Sequence, residues 1–431
     1  MSKIVVIGGG PMGLAAAFQG LLDGHQVDLL EAATIPGGMA AHFDFGGISI
    51  ERFYHFVCRA DYATFELLRD LGISHKLIWR PTSMGFFVGG RLNSWGDPVS
   101  LLSLPNASLA MKLRYGLFAF LCTRRKSWPS LEFRTARQWL IDWCGEAGYN
   151  LFWRSLLEYK FYEEAPHISA AWIWTRIRRV GLSRKSIMQE EMGYFEGGSE
   201  TLVTALVARI TELGGRIHLG TPVRRVLIEA GRVTGVETPQ MTFEADEVIS
   251  TVPIPVVPGM IPDLPEVLKA RYRAIHNIGI CCVVLKLSRS VSPHFWTNVE
   301  EPGIEIPGII EFTNLRPVGP TIVYIPYYMP TSNKKFSWTD EQLVSESMSC
   351  LTRLNPLVTR ADLVDARVFR LPHAQPVCDV GFLSKLPNVE TPIAGLQIAD
   401  TSFYYPEDRS ISESVNLGRK MARQIGKRHG V

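Results

Sequence analysis

Lys3-Ile4-Val5-Val6-Ile7-Gly8-Gly9-Gly10-Pro11-Met12-Gly13 decides how this 431-residue chain begins to fold. Lys3 to Ile7 is rich in β-branched residues and predicts a strand buried on both faces. Gly8-x-Gly10-x-x-Gly13 follows directly, and a helix is expected over Leu14 to Asp23, stopped by Gly24. Gln26 to Leu30 reads as a second strand, ending at Glu31, 18 residues after Gly13. Strand, glycine turn, helix and strand in this order make a βαβ unit of the dinucleotide-binding kind. Gly8 makes the tight turn. Gly10, with Pro11 and Met12 beside it, brings backbone N–H groups and the helix N-terminus to a pyrophosphate, and Gly13 lets the helix pack on the strands. Glu31, next to Ala32, is placed to accept hydrogen bonds from adenosine ribose hydroxyls. A carboxylate there disfavours a 2′-phosphate, so NADP is not expected, while FAD and NAD both satisfy these residues.

Composition narrows the class. Hydrophobic residues make up 46% and charged residues 20%, as in folded globular chains. Forty-five Lys and Arg against 42 Asp and Glu give a net charge of +3, which argues against a nucleic-acid binder. The mean hydropathy of +0.07 leaves an apolar excess to be placed in a core, a substrate channel or a membrane-facing patch. Seven cysteines in no CxxC pair and no zinc spacing read as reduced thiols, and no metal site is expected. Ile4 to Leu22 is too broken by Gly8, Gly9, Gly10 and Pro11 to read as a leader. The longest later apolar stretch, Tyr115 to Cys122, is far short of a membrane span. The chain is therefore expected to be cytoplasmic, with peripheral membrane association open.

Three further segments carry a resemblance. Pro36-Gly37-Gly38-Met39 follows Glu31. Glu191 to Gly198 precedes a helix over Ser199 to Leu213 and a strand over Arg216 to Leu219, then a hairpin around Gly231. Phe243 to Ser250 returns as one strand towards Thr251-Val252-Pro253. At the far end, Gly395 to Asp400 reads as a short strand ending in a carboxylate. Ser410-Ile411-Ser412-Glu413-Ser414 then opens a helix over Val415 to Ile425, with Ser410 or Ser412 as cap. Together these resemble the superfamily of FAD-dependent amine oxidases, protoporphyrinogen oxidases and phytoene desaturases, built on the glutathione-reductase-type FAD fold.

The resemblance implies an α/β architecture: a Rossmann-like FAD-binding domain with a discontinuous α+β substrate domain. The FAD-binding part would comprise 1–60, 190–255 and 366–431, and the substrate part 61–189 and 256–365. FAD is the implied cofactor. Gly37, Gly38 and Met39 would lie along its pyrophosphate and ribityl chain. Val223 would meet the adenine side through its backbone, with Thr251 on the strand that ends that block. Asp400 would sit beside the ribityl group, and Ser410, Ile411 and Ser412 would aim a helix N-terminus at the pyrimidine end of the flavin. Ala399 stands where the family often has Gly. No second Gly-x-Gly-x-x-Gly occurs, so no docked nicotinamide domain is expected.

In flavoenzymes the ring carries the electrons and the protein supplies position and electrostatics. Ile50 to Phe56 aligns with the family segment near the flavin, which makes Arg52 and His55 catalytic candidates. His55 is expected to work as an acid–base group near neutral pH. Tyr405 and Arg409, in Tyr405-Pro406-Glu407-Asp408-Arg409, are the other two. Tyr404, Tyr324, Tyr327 and Tyr328 are further candidates for an aromatic pocket. Trp139, Leu140, Trp143 and Cys144 recur at helical spacing, as do Leu151, Phe152, Leu156 and Tyr159. Basic residues at 112 and 114, at 124–126, and at 176, 178, 179, 184 and 185 are read first as solvated faces. The first two groups flank the apolar Tyr115 to Cys122, a pattern also suited to a membrane surface. The resulting expectation is an FAD-dependent oxidoreductase that takes a hydride from a small-molecule substrate of apolar or partly apolar character. Two alternatives remain: an isomerase resembling UDP-galactopyranose mutase, without net redox, and a non-enzymatic escort protein on the flavin fold.

Overall fold

Five short β-branched runs assemble into one parallel sheet in the order Arg216–His218, Gln26–Leu30, Lys3–Ile7, Glu247–Ser250, Leu396–Ile398. This is a computed structural model, and it describes residues 1–428. The central strand Lys3–Ile7 packs on both faces, which is why it reads as a continuous apolar run. Ile4 and Val6 face the helices Pro11–Leu22 and Ser199–Glu212 and the last helix, Ile411–Arg428. Val5 and Ile7 face Val226, Val233 and Val236 of a three-stranded antiparallel sheet.

Two expected boundaries move for visible reasons. The first helix begins at Pro11, not Leu14, because proline at the first turn gives up only an N–H that the helix does not need. The single strand expected over Phe243 to Ser250 is two strands in different sheets. Thr242–Glu244 closes the three-stranded sheet and Glu247–Ser250 enters the parallel one. Between them the Asp246 carboxylate accepts the Lys3 N–H at 2.8 Å, and the Asp246 N–H donates to the Lys3 carbonyl at 2.9 Å.

A second sheet of seven strands runs Leu363–Pro376, Asn277–Leu287, Thr321–Met329, Gly308–Glu311, Trp296–Glu300, Met84–Val88, Arg91–Trp95. Leu363–Pro376 pairs along Asn277–Leu287, so the boundary expected at 366 cuts through a strand of this sheet. One face of the sheet is covered by the helix Asp340–Leu354, and the other turns towards the parallel sheet's end. The helices Leu109–Arg124, Ala136–Phe152, Arg154–Phe161 and Ala170–Leu182 complete the inserts. The apolar spacing read over 139–159 is broken twice, by a kink at Gly145, where φ is +76°, and at Trp153.

The first and last helices cross so closely that a Cβ on Gly418 would lie 2.1 Å from the Met12 carbonyl oxygen. Backbone cannot yield as a side chain does. Gly418→Ala is therefore expected to lower stability by about 1–3 kcal/mol, as overpacking does, and to lower flavin content with it. Thermal unfolding and the ratio of visible to protein absorbance check this.

Candidate active site

The glycine turn and the Gly37-Gly38 loop form one cradle. Gly8 has a φ of +106°, and a Cβ on Gly13 would lie 1.8 Å from the Gly8 carbonyl oxygen, so both positions need glycine. The Gly37 N–H donates to the Gly9 carbonyl at 2.8 Å. Gly10 and Gly38 then face each other: a Cβ on Gly38 would stand 3.1 Å from the Gly10 Cα, and one on Gly10 3.9 Å from the Gly38 Cα. The helix that starts at Pro11 has no side-chain cap, which leaves its first N–H groups for an anion. Glu31 braces the turn: one oxygen accepts the Gly9 N–H at 2.5 Å, the other the Ala33 N–H at 2.8 Å. The Thr221 N–H donates to the Glu31 carbonyl at 2.8 Å, which brings the segment carrying Val223 alongside Glu31 and Ala32. Thr251 sits behind the turn, its hydroxyl on the Ile7 carbonyl at 2.9 Å.

The C-terminal half of the cradle is equally local. Asp400 is buried and accepts the N–H groups of Ile254 and Ser402, both at 2.8 Å. Burial pushes its carboxyl up despite those bonds. Ser410 caps the last helix by accepting the Glu413 N–H at 3.1 Å, and Ile411 and Ser412 form its buried first turn. The Nε of Arg52 is buried with no partner among the described residues. Two adjoining glycine loops, two helix N-termini and an orphaned arginine N–H fit a long, anionic dinucleotide such as FAD.

Beside the cradle lies a cluster of charges that the sequence did not disclose. Asp408 pairs with Arg176 at 2.9 Å. Burial opposes its charge, but Lys160, Arg176, Arg409 and Arg179 outweigh it and hold the carboxyl at about 2. Arg409 bonds the Tyr328 hydroxyl and the Ala374 carbonyl and touches the Met39 sulfur at 3.8 Å. Lys160 lies over the rings of Trp172 and Tyr328, both at 4.8 Å, and burial drives its ammonium well below the usual lysine range. Glu51 is ion-paired with buried Arg316 at 3.2 Å and accepts the Ser199 N–H at 2.8 Å. The Tyr324 hydroxyl donates to the Glu51 carbonyl at 2.7 Å, and these bonds fix the start of the 52–56 segment.

From this cluster a cavity of 410 Å³ runs outward, with Phe56, Trp296 and Arg176 at the charged end. Its walls include Trp95, Tyr115 and Phe152, which also pack against one another. Gly181, Arg184 and Glu190 line it farther along. Residues 176 and 181 share the helix Ala170–Leu182, so the axis of that helix marks the cavity's course.

The structure separates the catalytic candidates. Arg52 and Arg409 stand by the cradle. His55 does too, with its Nδ1 2.7 Å from the Phe53 carbonyl. A carbonyl only accepts, so Nδ1 carries the proton and Nε2 is free as an acceptor. Burial, with Arg409 and Arg179 nearby, lowers its pKa to about 4. His55 is therefore neutral at pH 7, which corrects the expectation of an acid–base group titrating there. Tyr405 points away into the helical insert, packed on Trp128 and Phe382, with its hydroxyl bonded to Ser169 at 2.9 Å and to Glu132. Tyr404 bonds Ser414 at 2.8 Å in the flavin-side core. On strand Thr321–Met329, alternation puts Tyr324 and Tyr328 on the cavity face and Tyr327 on the opposite face, bonded to Ser347 at 3.0 Å. Arg176 and Arg179 are half-buried and ion-paired, so they do not form an open solvated face. Arg179 makes a double hydrogen bond to Asp61, at 3.1 and 2.8 Å.

Comparison with known proteins agrees with this geometry. The family model described as flavin containing amine oxidoreductase matches residues 13–390. The chain belongs to that family. It is an FAD-dependent oxidoreductase. A coproporphyrinogen III oxidase from Propionibacterium freudenreichii subsp. freudenreichii is 32% identical over 126 residues, a match that covers 29% of this chain and 22% of that protein's length. Among solved structures, a putative protoporphyrinogen oxidase from Exiguobacterium sp. 255-15 superposes with a TM-score of 0.76 at 19% identity, covering 99% of both chains. A reduced UDP-galactopyranose mutase gives 0.76 at 17% identity, covering 99% of this chain and 95% of its own. At such identities the structural likeness is one of fold.

Asp408→Asn leaves Arg176 without its carboxylate partner and removes the negative charge beside Lys160, Arg409 and Arg179. At pH 7 this is expected to cost about 3–5 kcal/mol, as for breaking a buried pair. Because the folded-state pKa lies below the ordinary 3.8, wild type holds this stability above about pH 4 and loses it as pH falls towards 2. Urea unfolding of both proteins should show the gap between them closing over that interval.

Proposed function

We propose that the enzyme removes a hydride from an apolar or partly apolar small molecule held in the aromatic cavity. The observation that carries this reading is the cavity itself, whose walls are rich in aromatic residues and whose two lining arginines, Arg176 and Arg184, are both neutralised by carboxylates. FAD, when bound, supplies the electron-accepting ring. Arg52, Arg409, neutral His55 and Tyr328 are the residues that would hold it and set the polarity around it. Phe56 and Trp296 orient the substrate's inner end, and the surrounding rings exclude water from the reacting C–H bond. The local match to a coproporphyrinogen III oxidase supports a partly apolar substrate of that kind.

The isomerase reading is less well supported. Arg176 and Arg184, the arginines lining the cavity, are each paired with a carboxylate, Asp408 and Glu190. Neither stands free for a nucleotide diphosphate. A braced cradle also speaks against an escort protein without a cofactor.

The test is the anaerobic bleaching of the holoenzyme's flavin against a panel of a porphyrinogen, a polyene, a polyprenyl-linked sugar and a short diamine. Rapid bleaching by one or more of the first three, and none by the diamine, is the expected result. Bleaching by the diamine alone would overturn the apolar reading.

A further inference from the structure

The helix Leu109–Arg124 is apolar on almost every side, yet only part of it is covered. Phe118 and Cys122 face the core. Leu109, Leu113 and Leu117 are 63%, 60% and 55% exposed, and Leu121 continues the same i, i+4 stripe. Phe120 is 50% exposed and also lines the cavity. Ile187, 70% exposed at the turn of a neighbouring hairpin, lines the cavity as well. The cavity therefore opens at the border of the stripe, between Phe120 and Ile187.

Charge identifies what covers this face. From Pro98 to Leu131 the chain carries Lys112, Arg114, Arg124, Arg125 and Lys126 and not one Asp or Glu. A second copy of the chain, docked by a two-fold axis, would set these cations against their own equivalents. An anionic lipid surface complements both features, taking the leucines among its acyl chains and the cations among its headgroups.

We infer that the helix Leu109–Arg124 seats the protein on an anionic membrane surface, so that the cavity mouth opens into the lipid and an apolar substrate enters without crossing water. This rests on the apolar-substrate reading for its purpose, but the docking itself is measurable without any substrate. No helix among the described residues is long and apolar enough to cross a membrane, so the contact is peripheral.

The test is sedimentation of the holoenzyme with vesicles of phosphatidylcholine alone and with about one-third phosphatidylglycerol. Binding to the anionic vesicles is expected, weakened by salt. Leu113→Glu with Leu117→Glu should weaken it about tenfold or more. Arg124→Glu with Lys126→Glu should weaken binding to anionic vesicles and leave any binding to neutral ones unchanged. All four residues lie outside the cradle and the cavity wall, so flavin content and bleaching of detergent-dispersed substrate should stay at wild-type levels. No sedimentation with either vesicle would overturn the inference. So would a wild-type dimer in buffer that the leucine variant converts to a monomer. If docking is found while no apolar compound bleaches the flavin, the substrate reading fails and the membrane contact stands.

Discussion

Two adjacent residues with opposite charges, Asp408 and Arg409, hold the cofactor cradle and the aromatic cavity in register. They precede the last helix by one residue, Ser410, and so belong to the flavin side. Their side chains reach into the other half of the molecule: Asp408 to Arg176 on the insert helix, Arg409 to Tyr328 and Ala374 on two strands of the seven-stranded sheet. Arg409 also touches Met39 in the Gly37-Gly38 loop. A flavin enzyme works only if the reacting bond lies close to the ring. Here that distance depends on contacts made by a two-residue segment. The depressed carboxyl of Asp408 shows the electrostatic cost of this design, since a lone carboxylate could not stay charged at such depth without the surrounding cations.

The fold was legible because its deciding segments obey local rules. Gly8 is required by its positive φ and Gly13 by close backbone approach, and Glu31 and Asp400 lie where parallel strands end. Ser410 and the first helix follow capping and proline rules. What stayed hidden was set by tertiary contact. Nothing local marks Lys160, in a helix of mixed apolar and charged residues, as buried over two aromatic rings. Arg176 sits in a run of arginines that reads as a solvated face. Tyr405 and Arg409 are four residues apart and looked equivalent, yet one turns into the helical insert and the other towards the cradle. His55 was visible as a candidate, but its titration is set by burial and by Arg409 and Arg179, neither of which its neighbours in sequence reveal.

The slight apolar excess of the chain also finds its place. Part lies in the parallel sheet, whose central strand is covered on both faces. Part lines the cavity, through Trp95, Tyr115, Phe152 and Trp296. The rest is uncovered along Leu109–Arg124. Cavity and exposed stripe meet at Phe120, so the two share one boundary.

The most direct measurement is a cavity block. Ala119 lines the cavity on the helix Leu109–Arg124, away from the flavin cradle. In an Ala119→Trp variant that retains its flavin, anaerobic stopped-flow mixing with the compound that best reduces wild type should show bleaching slowed by about tenfold or more. Reduction by dithionite, which does not need the cavity, should be unchanged. Equal bleaching rates in variant and wild type would mean that substrate reaches the flavin by another path, and would contradict the assignment of this cavity.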